Sequence, residues 1–220
     1  TVSGSGSFYN IANLYLGTFN LYTTSTSNLI FSQTNTMVVN QVTVNTGTFT
    51  HNNKLTIGRP GVIPTVILGG NGITTPSGSF TSVPNFDNTS FNTALTYNMT
   101  SEPFALGVKN EIGAGTTNLY NFTINNPKGL SIDRNLNIVN SLTMTVGDIL
   151  IGNNNITLGT GASNLGSLSH NSGTSGQIIC GTSGGFTRWV NTVSAPTFAS
   201  TLSLFPLGTP GSRRHAFVYY

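Results

Sequence analysis

Apolar residues alternate with small or polar residues in short units along most of the chain. The clearest units lie between residues 122 and 158, where turns of Gly, Asn or Asp separate them: Phe122/Ile124, Leu130/Ile132, Leu136/Ile138, Leu142/Met144, Ile149/Ile151 and Ile156/Leu158. Alternation with a period of two places the apolar side chains on one face of a β-strand. The pattern predicts strands of about three residues, shorter than the roughly 5–6 residues of ordinary strands.

A looser series of the same units comes before it: Leu14/Leu16, Phe19/Leu21, Leu29/Phe31, Met37/Val39, Val42/Val44, Leu55/Ile57 and Val66/Leu68. Good helix formers are scarce, and Gly and Asn interrupt every window. No convincing stretch carries apolar residues at the period of a helix. The chain is therefore predicted to be all-β.

Two all-β architectures were weighed against the short strands. Long antiparallel hairpins need two-residue Asn-Gly or Asp-Gly turns between longer strands. A parallel β-helix, or β-solenoid, joins short strands by bends into rungs that stack on one another. The number of short strands and the repeated Asn and Gly at the bends favour the solenoid, in which each strand is one side of a rung.

The pattern also divides the chain. We expect a β-solenoid over residues 1–190, with a loop-rich insertion at about 59–92, where prolines and glycines are frequent. From residue 191 to 220 the alternation is longer and aromatic residues are common, which indicates the start of a β-sandwich-like unit. Both ends interrupt a pattern, so we expect the chain to be a truncated piece of a longer protein.

Charged side chains are few: eight Lys and Arg and five Asp and Glu make up 6% of the residues, against about 25% in typical proteins. In a parallel stack a charge would lie roughly 5 Å from a like charge, whereas Asn and Thr form neutral ladders. The only adjacent basic pair is Arg213–Arg214, which argues against nucleic-acid binding. No apolar run approaches the ~20 residues that span a bilayer.

Longer motifs carry a family resemblance. Residues 95–159 run from LTYNMTSEPFALG to ILIGNNNITLG, and GFTRWV and LFPLGTPGSRRHAFVYY follow; LTIGRPG lies in the earlier series. Over residues 40–220 the order of these motifs resembles the large repetitive cell-surface proteins of the Bacteroidetes, adhesin-like proteins of which many are exported by the type IX secretion system.

The resemblance implies a non-enzymatic extracellular protein: a β-solenoid stalk that projects from the cell surface or assembles into filaments, in adhesion or gliding. It implies no catalytic residue and no cofactor. The partners we expect are neighbouring domains or subunits of the same protein, as in a homopolymer, and surface glycans.

Two alternatives stay open. The segment SGTSGQ…GGFTRWV is similar to one common in viral tail fibres, which would favour an intertwined trimer. Polysaccharide-cleaving β-helices form the other alternative, and they need two carboxylates about 5–10 Å apart. The chain has five acids in all, and we interpret Asp133 and Asp148 as turn residues.

Few residues qualify as a site. Cys180 follows two isoleucines and is interpreted as a small buried hydrophobe, and the three scattered histidines do not predict a zinc site. No catalytic, cofactor or metal residue is assigned. The candidates for glycan or partner contact are the aromatic residues Trp189, Tyr15, Tyr22 and Tyr97, although Trp189 equally fits packing at the end of the solenoid or under the next domain.

Overall fold

The structure is a computed structural model that describes residues 2–3, 6–8, 14–22, 28–31, 36–45, 47–70, 78–100, 103–190 and 203–218. These residues form 24 strands and no helix, and so include no helix long and apolar enough to cross a membrane. The all-β class is confirmed. Most of the strand pairs are parallel. The chain divides into two units, Thr1–Glu102 with Gly107–Thr116, and Pro103–Leu106 with Thr117–Tyr220.

The first unit contains eleven of the strands that the structure describes. They are β1 (Val2–Ser3), β2 (Gly6–Phe8), β3 (Leu14–Tyr22), β4 (Asn28–Phe31), β5 (Met37–Val44), β6 (Thr48–Thr50), β7 (Leu55–Ile57), β8 (Thr65–Gly70), β9 (Ser79–Phe80), β10 (Asn85–Phe86) and β11 (Thr93–Met99). Strands β1, β3, β5, β8 and β11 pair in that order in parallel, and β2, β4, β6 and β9 form a second parallel sheet.

The core of the first unit follows from this register. Val42, Val66 and Leu95 lie at matching positions of β5, β8 and β11, and all three side chains are buried. Burying such a side chain stabilises a fold by about 1.5–3 kcal/mol. The apolar–x–apolar pattern therefore becomes a set of buried rows that run across the strands.

The second unit contains the other thirteen strands of the described residues. They are β12 (Phe104–Ala105), β13 (Asn118–Asn125), β14 (Leu130–Ser131), β15 (Leu136–Val146), β16 (Ile149–Gly152), β17 (Asn155–Leu158), β18 (Ser167–His170), β19 (Ile178–Cys180), β20 (Gly185–Arg188), β21 (Leu204–Phe205), β22 (Leu207–Thr209), β23 (Ser212–Arg213) and β24 (Ala216–Phe217).

Two parallel sheets dominate the second unit. One has the order β13, β15, β17, β20, with β18 also paired to β15, and the other has the order β12, β14, β16, β19, β22. The pairs β22–β23 and β21–β24 are antiparallel.

The two faces of the first of these sheets differ in chemistry. Leu119, Ile138 and Leu158 occupy matching positions of β13, β15 and β17, and all three are fully buried. One residue earlier on each strand the register aligns polar side chains: Asn118, Asn137, Thr157 and, on β20, Thr187. Apolar rows on one face and neutral polar rows on the other are what alternation in stacked strands produces.

The predicted strand length is wrong for the long strands. Leu136/Ile138 and Leu142/Met144 lie on one eleven-residue strand, β15, because residues 139–141 stay extended without a Gly or Pro to end the strand. The first part of β15 pairs with β17 and the second part with β18. Strand β5 is divided in the same way between β7 and β8.

Two predicted boundaries can be placed on the strands. The segment 59–92 contains β8, which pairs in register with β5 and β11, together with β9 and β10; residues 71–77 lie outside the described residues. Residues 191–202 and 219–220 also lie outside them. The described part of the segment 191–220 continues a parallel sheet through β22 and adds two antiparallel pairs. The β-sandwich-like unit stays a prediction.

Candidate functional site

Successive turns of the second unit meet where four parallel strands begin. Leu130, Ile149, Ile178 and Leu207 are in register at the starts of β14, β16, β19 and β22. Backbone hydrogen bonds link the residues just before them: the N–H of Leu130 donates to Asp148 O at 2.8 Å, that of Ile149 to Gln177 O at 2.8 Å, and that of Ile178 to Pro206 O at 2.7 Å. The turns before these strands are therefore stacked.

The stacked turns and β23 enclose a pocket of about 300 Å³. Three charged side chains line it, one from each of three segments distant in the sequence: Lys128, Asp148 and Arg213. Gln177 and Leu150 also contribute to the wall. Leu150 is 42% exposed, unusual for a large apolar side chain in this chain.

A buried asparagine shapes the turn that carries Lys128. The Nδ2 of Asn126 donates to Gly129 O at 2.9 Å, and its Oδ1 accepts the N–H of Lys128 at 3.1 Å. Asn126 is fully buried, whereas Lys128 is exposed. Local side chain–backbone bonds of this kind fix tight turns, and here the turn holds the lysine at the pocket.

The turns can stack this closely because of glycines. Gly147 has φ 92°, and a Cβ atom there would collide with the carbonyl of Asn126. A Cβ atom at Gly176 would collide in turn with the carbonyl of Gly147. Only glycine combines this backbone conformation with so close an approach of neighbouring backbone.

Backbone hydrogen bonds position the other two charges. One oxygen of the Asp148 carboxylate, Oδ1, accepts the N–H of Gln177 at 2.9 Å. The Nη2 of Arg213 donates to Gly173 O at 3.2 Å and to Ser175 O at 3.4 Å. Both side chains are thus attached to the loop 173–177, which brings a cation and an anion to one pocket without joining them directly.

This arrangement suits binding better than proton transfer. Asp148 is the one carboxylate in the wall of the pocket, whereas glycoside hydrolysis uses two. Asp133 pairs with Arg134 at 2.6 Å, and this hydrogen bond lowers the pKa of the Asp133 carboxyl below its ordinary value. Burial raises the pKa of the Cys180 thiol, which disfavours the nucleophilic thiolate.

The histidines are less scattered than the sequence indicated. The rings of His170 and His215 meet edge to face, with centroids 5.1 Å apart, while His51 packs against Phe49 and Phe80 in the first unit. Burial lowers the pKa of all three imidazoles. Within the described residues, no three His, Cys, Asp or Glu side chains come together as a metal site would require.

The aromatic candidates for ligand contact fall in different places. Trp189 is 46% exposed, a placement that leaves its ring accessible. Tyr97 is fully buried and its hydroxyl donates to Glu111, so its predicted role in glycan contact is corrected: its ring cannot stack on a ligand. Tyr15 and Tyr22 lie on β3, but their side chains are outside the described residues.

Comparison with protein-family models, with curated proteins and with solved structures gives no significant match. The site must therefore be interpreted from this chain alone.

Sequence reasoning missed the pocket. Asp148 was interpreted as a turn residue, which fits its position before β16, and Lys128 and Arg213 were not singled out. One signal was present: a turn with a Gly and a polar residue stands directly before three apolar strand starts, as PKG before Leu130, GD before Ile149 and GQ before Ile178. Aligning these three starts would have placed Lys128 beside Asp148.

Proposed function

We propose that this chain is part of a non-enzymatic fibrous protein of a bacterial cell surface, with a β-solenoid stalk that projects from the cell or assembles into extracellular filaments. The observation that carries the proposal is the register of the parallel strands. In each unit, consecutive strands place apolar residues over apolar residues and polar over polar. Stacked repeats of this kind build elongated molecules in which each rung contacts its neighbours.

Side-chain ladders support a stalk. The Nδ2 of Asn137 donates to the Oδ1 of Asn118 at 2.9 Å, and that of Asn140 donates to the Oδ1 of Asn121 at 2.8 Å. These bonds join neighbouring rungs along the stacking direction and need no charge. They account for a chain in which 6% of the residues are charged, because a charge repeated at this spacing would repel its neighbour.

Assembly into filaments is supported by a strand at the end of a sheet. Among the described residues, β20 (Gly185–Arg188) pairs with β17 alone. A strand with one free side can pair with a further strand from the same or another chain. Adhesion or gliding, export by the type IX secretion system and a bacterial surface location belong to the proposal through the family resemblance of the motifs.

Electron cryo-microscopy of the native material tests the proposal. Rungs repeating at about 4.8 Å along a fibre axis are expected, either as a filament with this chain as its subunit or as a stalk within a longer polypeptide. Antibodies against the chain should label intact cells. A globular particle without this repeat, or labelling only after lysis, contradicts the proposal. A stable intertwined trimer would favour the viral tail-fibre alternative.

A further inference from the structure

The charges of this chain are concentrated at the pocket before β14, β16 and β19. The whole chain carries eight basic and five acidic side chains, and three of them, Lys128, Asp148 and Arg213, line this one pocket. The other charged residues of the second unit have other placements: Asp133 pairs with Arg134, Arg188 is buried and Arg214 is exposed. In a fold that otherwise uses neutral polar residues, this concentration marks a binding surface.

The two cations of the pocket are not neutralised by its carboxylate. Within the described residues, no ion pair within 4.0 Å joins Lys128 or Arg213 to an acidic side chain. The Nη2 of Arg213 is anchored to Gly173 O and Ser175 O, and the remaining N–H groups of the guanidinium are left for a ligand. Two cations against one carboxylate give the pocket a net positive charge, which selects an anionic ligand.

The rest of the wall narrows the chemistry of that ligand. Asp148 keeps one oxygen beyond the bond that Oδ1 accepts from Gln177, so it can accept a hydroxyl of a ligand. The exposed side chain of Leu150 offers an apolar surface for C–H groups. A volume of about 300 Å³ is at the lower end of the range for ligand pockets. An anion, hydroxyl groups and an apolar ring face occur together in the uronic acids.

We propose that this pocket binds a uronic acid unit of an acidic polysaccharide, with Lys128 and Arg213 on its carboxylate and Asp148 on a ring hydroxyl. Charge-assisted bonds from lysine and arginine are the stronger contacts and fix the acidic group. The contact with Asp148 supplies recognition of a sugar rather than of any anion. The proposal goes beyond the structural role of a stalk, and its failure would leave that role untouched.

Isothermal titration of the full chain with trigalacturonate, at low ionic strength, tests the proposal. Saturable binding is expected, and the neutral methyl ester of the same trisaccharide should bind at least about tenfold more weakly because it lacks the charge. Equal binding of the acid and its ester, or no saturable binding of trigalacturonate and of trimannuronate, overturns the proposal. Tighter binding of the trimer than of monomeric galacturonate identifies a polysaccharide as the source, and equal binding identifies the free sugar acid.

Single variants separate the pocket from general charge attraction. Lys128→Gln and Arg213→Gln should each weaken binding about tenfold, and Lys128 is an exposed turn residue whose change should leave the fold intact. Arg214→Gln is the matched control, since it removes the same charge from the neighbouring position outside the pocket. A loss in Arg214→Gln equal to that in Arg213→Gln overturns the proposal.

Asp148→Asn gives the sharpest comparison. This change makes the pocket more positive, so attraction by charge alone would strengthen binding of trigalacturonate. Loss of the hydroxyl contact instead predicts weaker binding, by about fivefold to tenfold. Tighter binding in Asp148→Asn contradicts the assigned site. The melting temperature of each variant, measured without ligand, shows that the fold is retained.

Discussion

The imidazole of His170 lies edge to face with the imidazole of His215, at a centroid distance of 5.1 Å. His170 stands in register with Met144, at the end of a row of inward positions that begins at Ile124. Its Nε2 bonds to the carbonyl of Gly176 at 2.9 Å, and because a carbonyl only accepts, this nitrogen carries the proton. A polar side chain thus ends an apolar row and packs against the chain segment 203–218.

Stability is expected to fall when the pH is lowered from 7.5 to 5. Burial lowers the folded-state pKa of His51, His170 and His215 below the ordinary value of 6.5. The unfolded chain therefore binds protons near pH 6.5, and the folded chain binds them only at lower pH. Stabilisation that is complete above pH 6.5 is lost as the pH falls through 6.5 toward the folded pKa values. Calorimetric melting temperatures at a series of pH values measure this loss.

Removing a titrating ring should reduce that pH dependence. His215→Phe keeps an aromatic ring beside His170 but cannot be protonated, so its melting temperature should change less between pH 7.5 and 5 than that of the unmodified chain. Arg214→Gln, at the neighbouring exposed position, is the control and should keep the full dependence. A higher melting temperature at pH 5 than at pH 7.5 would show that the sign is wrong.

The bond between Tyr97 and Glu111 should contribute strongly to stability. The buried carboxylate of Glu111 accepts from the hydroxyl of Tyr97 and from the N–H groups of Gly107, at 2.6 Å, and Lys109, at 3.1 Å. Tyr97→Phe removes one donor from a buried charge and should cost about 1–3 kcal/mol in urea unfolding. In a double-mutant cycle with Glu111→Ala, the two changes should be less than additive; strict additivity would contradict a direct interaction.

The neutral ladders explain why charges are rare, and this can be tested at Asn118 and Asn137. Changing both to Asp places two carboxylates at adjacent positions of β13 and β15, roughly 5 Å apart, and should destabilise the fold by about 1–3 kcal/mol. Added salt should recover part of the loss. The matched pair Asn118→Asp with Asn137→Lys should cost less, since opposite charges attract; equal costs in the two pairs would exclude repulsion as the cause.

The local pattern of the sequence was enough to predict the strands and their buried faces. Val42, Val66 and Leu95 belong to a buried row because alternation with a period of two survives in any stacked sheet. The length of β15 could not be predicted, since residues 139–141 contain neither a breaker nor a third alternating position. Whether a stretch bends or stays extended there depends on its pairing with two different strands.

The pocket depended on register, which the sequence does not contain. Lys128, Asp148 and Arg213 come together because β14, β16 and β19 begin at one level and β23 folds back beside them. The intervals between these strand starts are unequal, so no fixed repeat aligns them. Tyr97 shows the same limit: an alternating aromatic residue can face either side, and Glu111, which accepts its hydroxyl, lies beyond the strand.

Gly147 should be among the least replaceable residues of the second unit. It has φ 92°, and a Cβ atom there would collide with the backbone carbonyl of Asn126, so Gly147→Ala must both strain the backbone and push two stacked turns apart. We expect a loss of about 2–4 kcal/mol in chemical unfolding. Gly115→Ala is the control, because its Cβ atom would meet no atom within 4 Å, and it should change stability by less than about 0.5 kcal/mol. Equal effects of the two changes would contradict the close stacking of the turns on which the pocket is built.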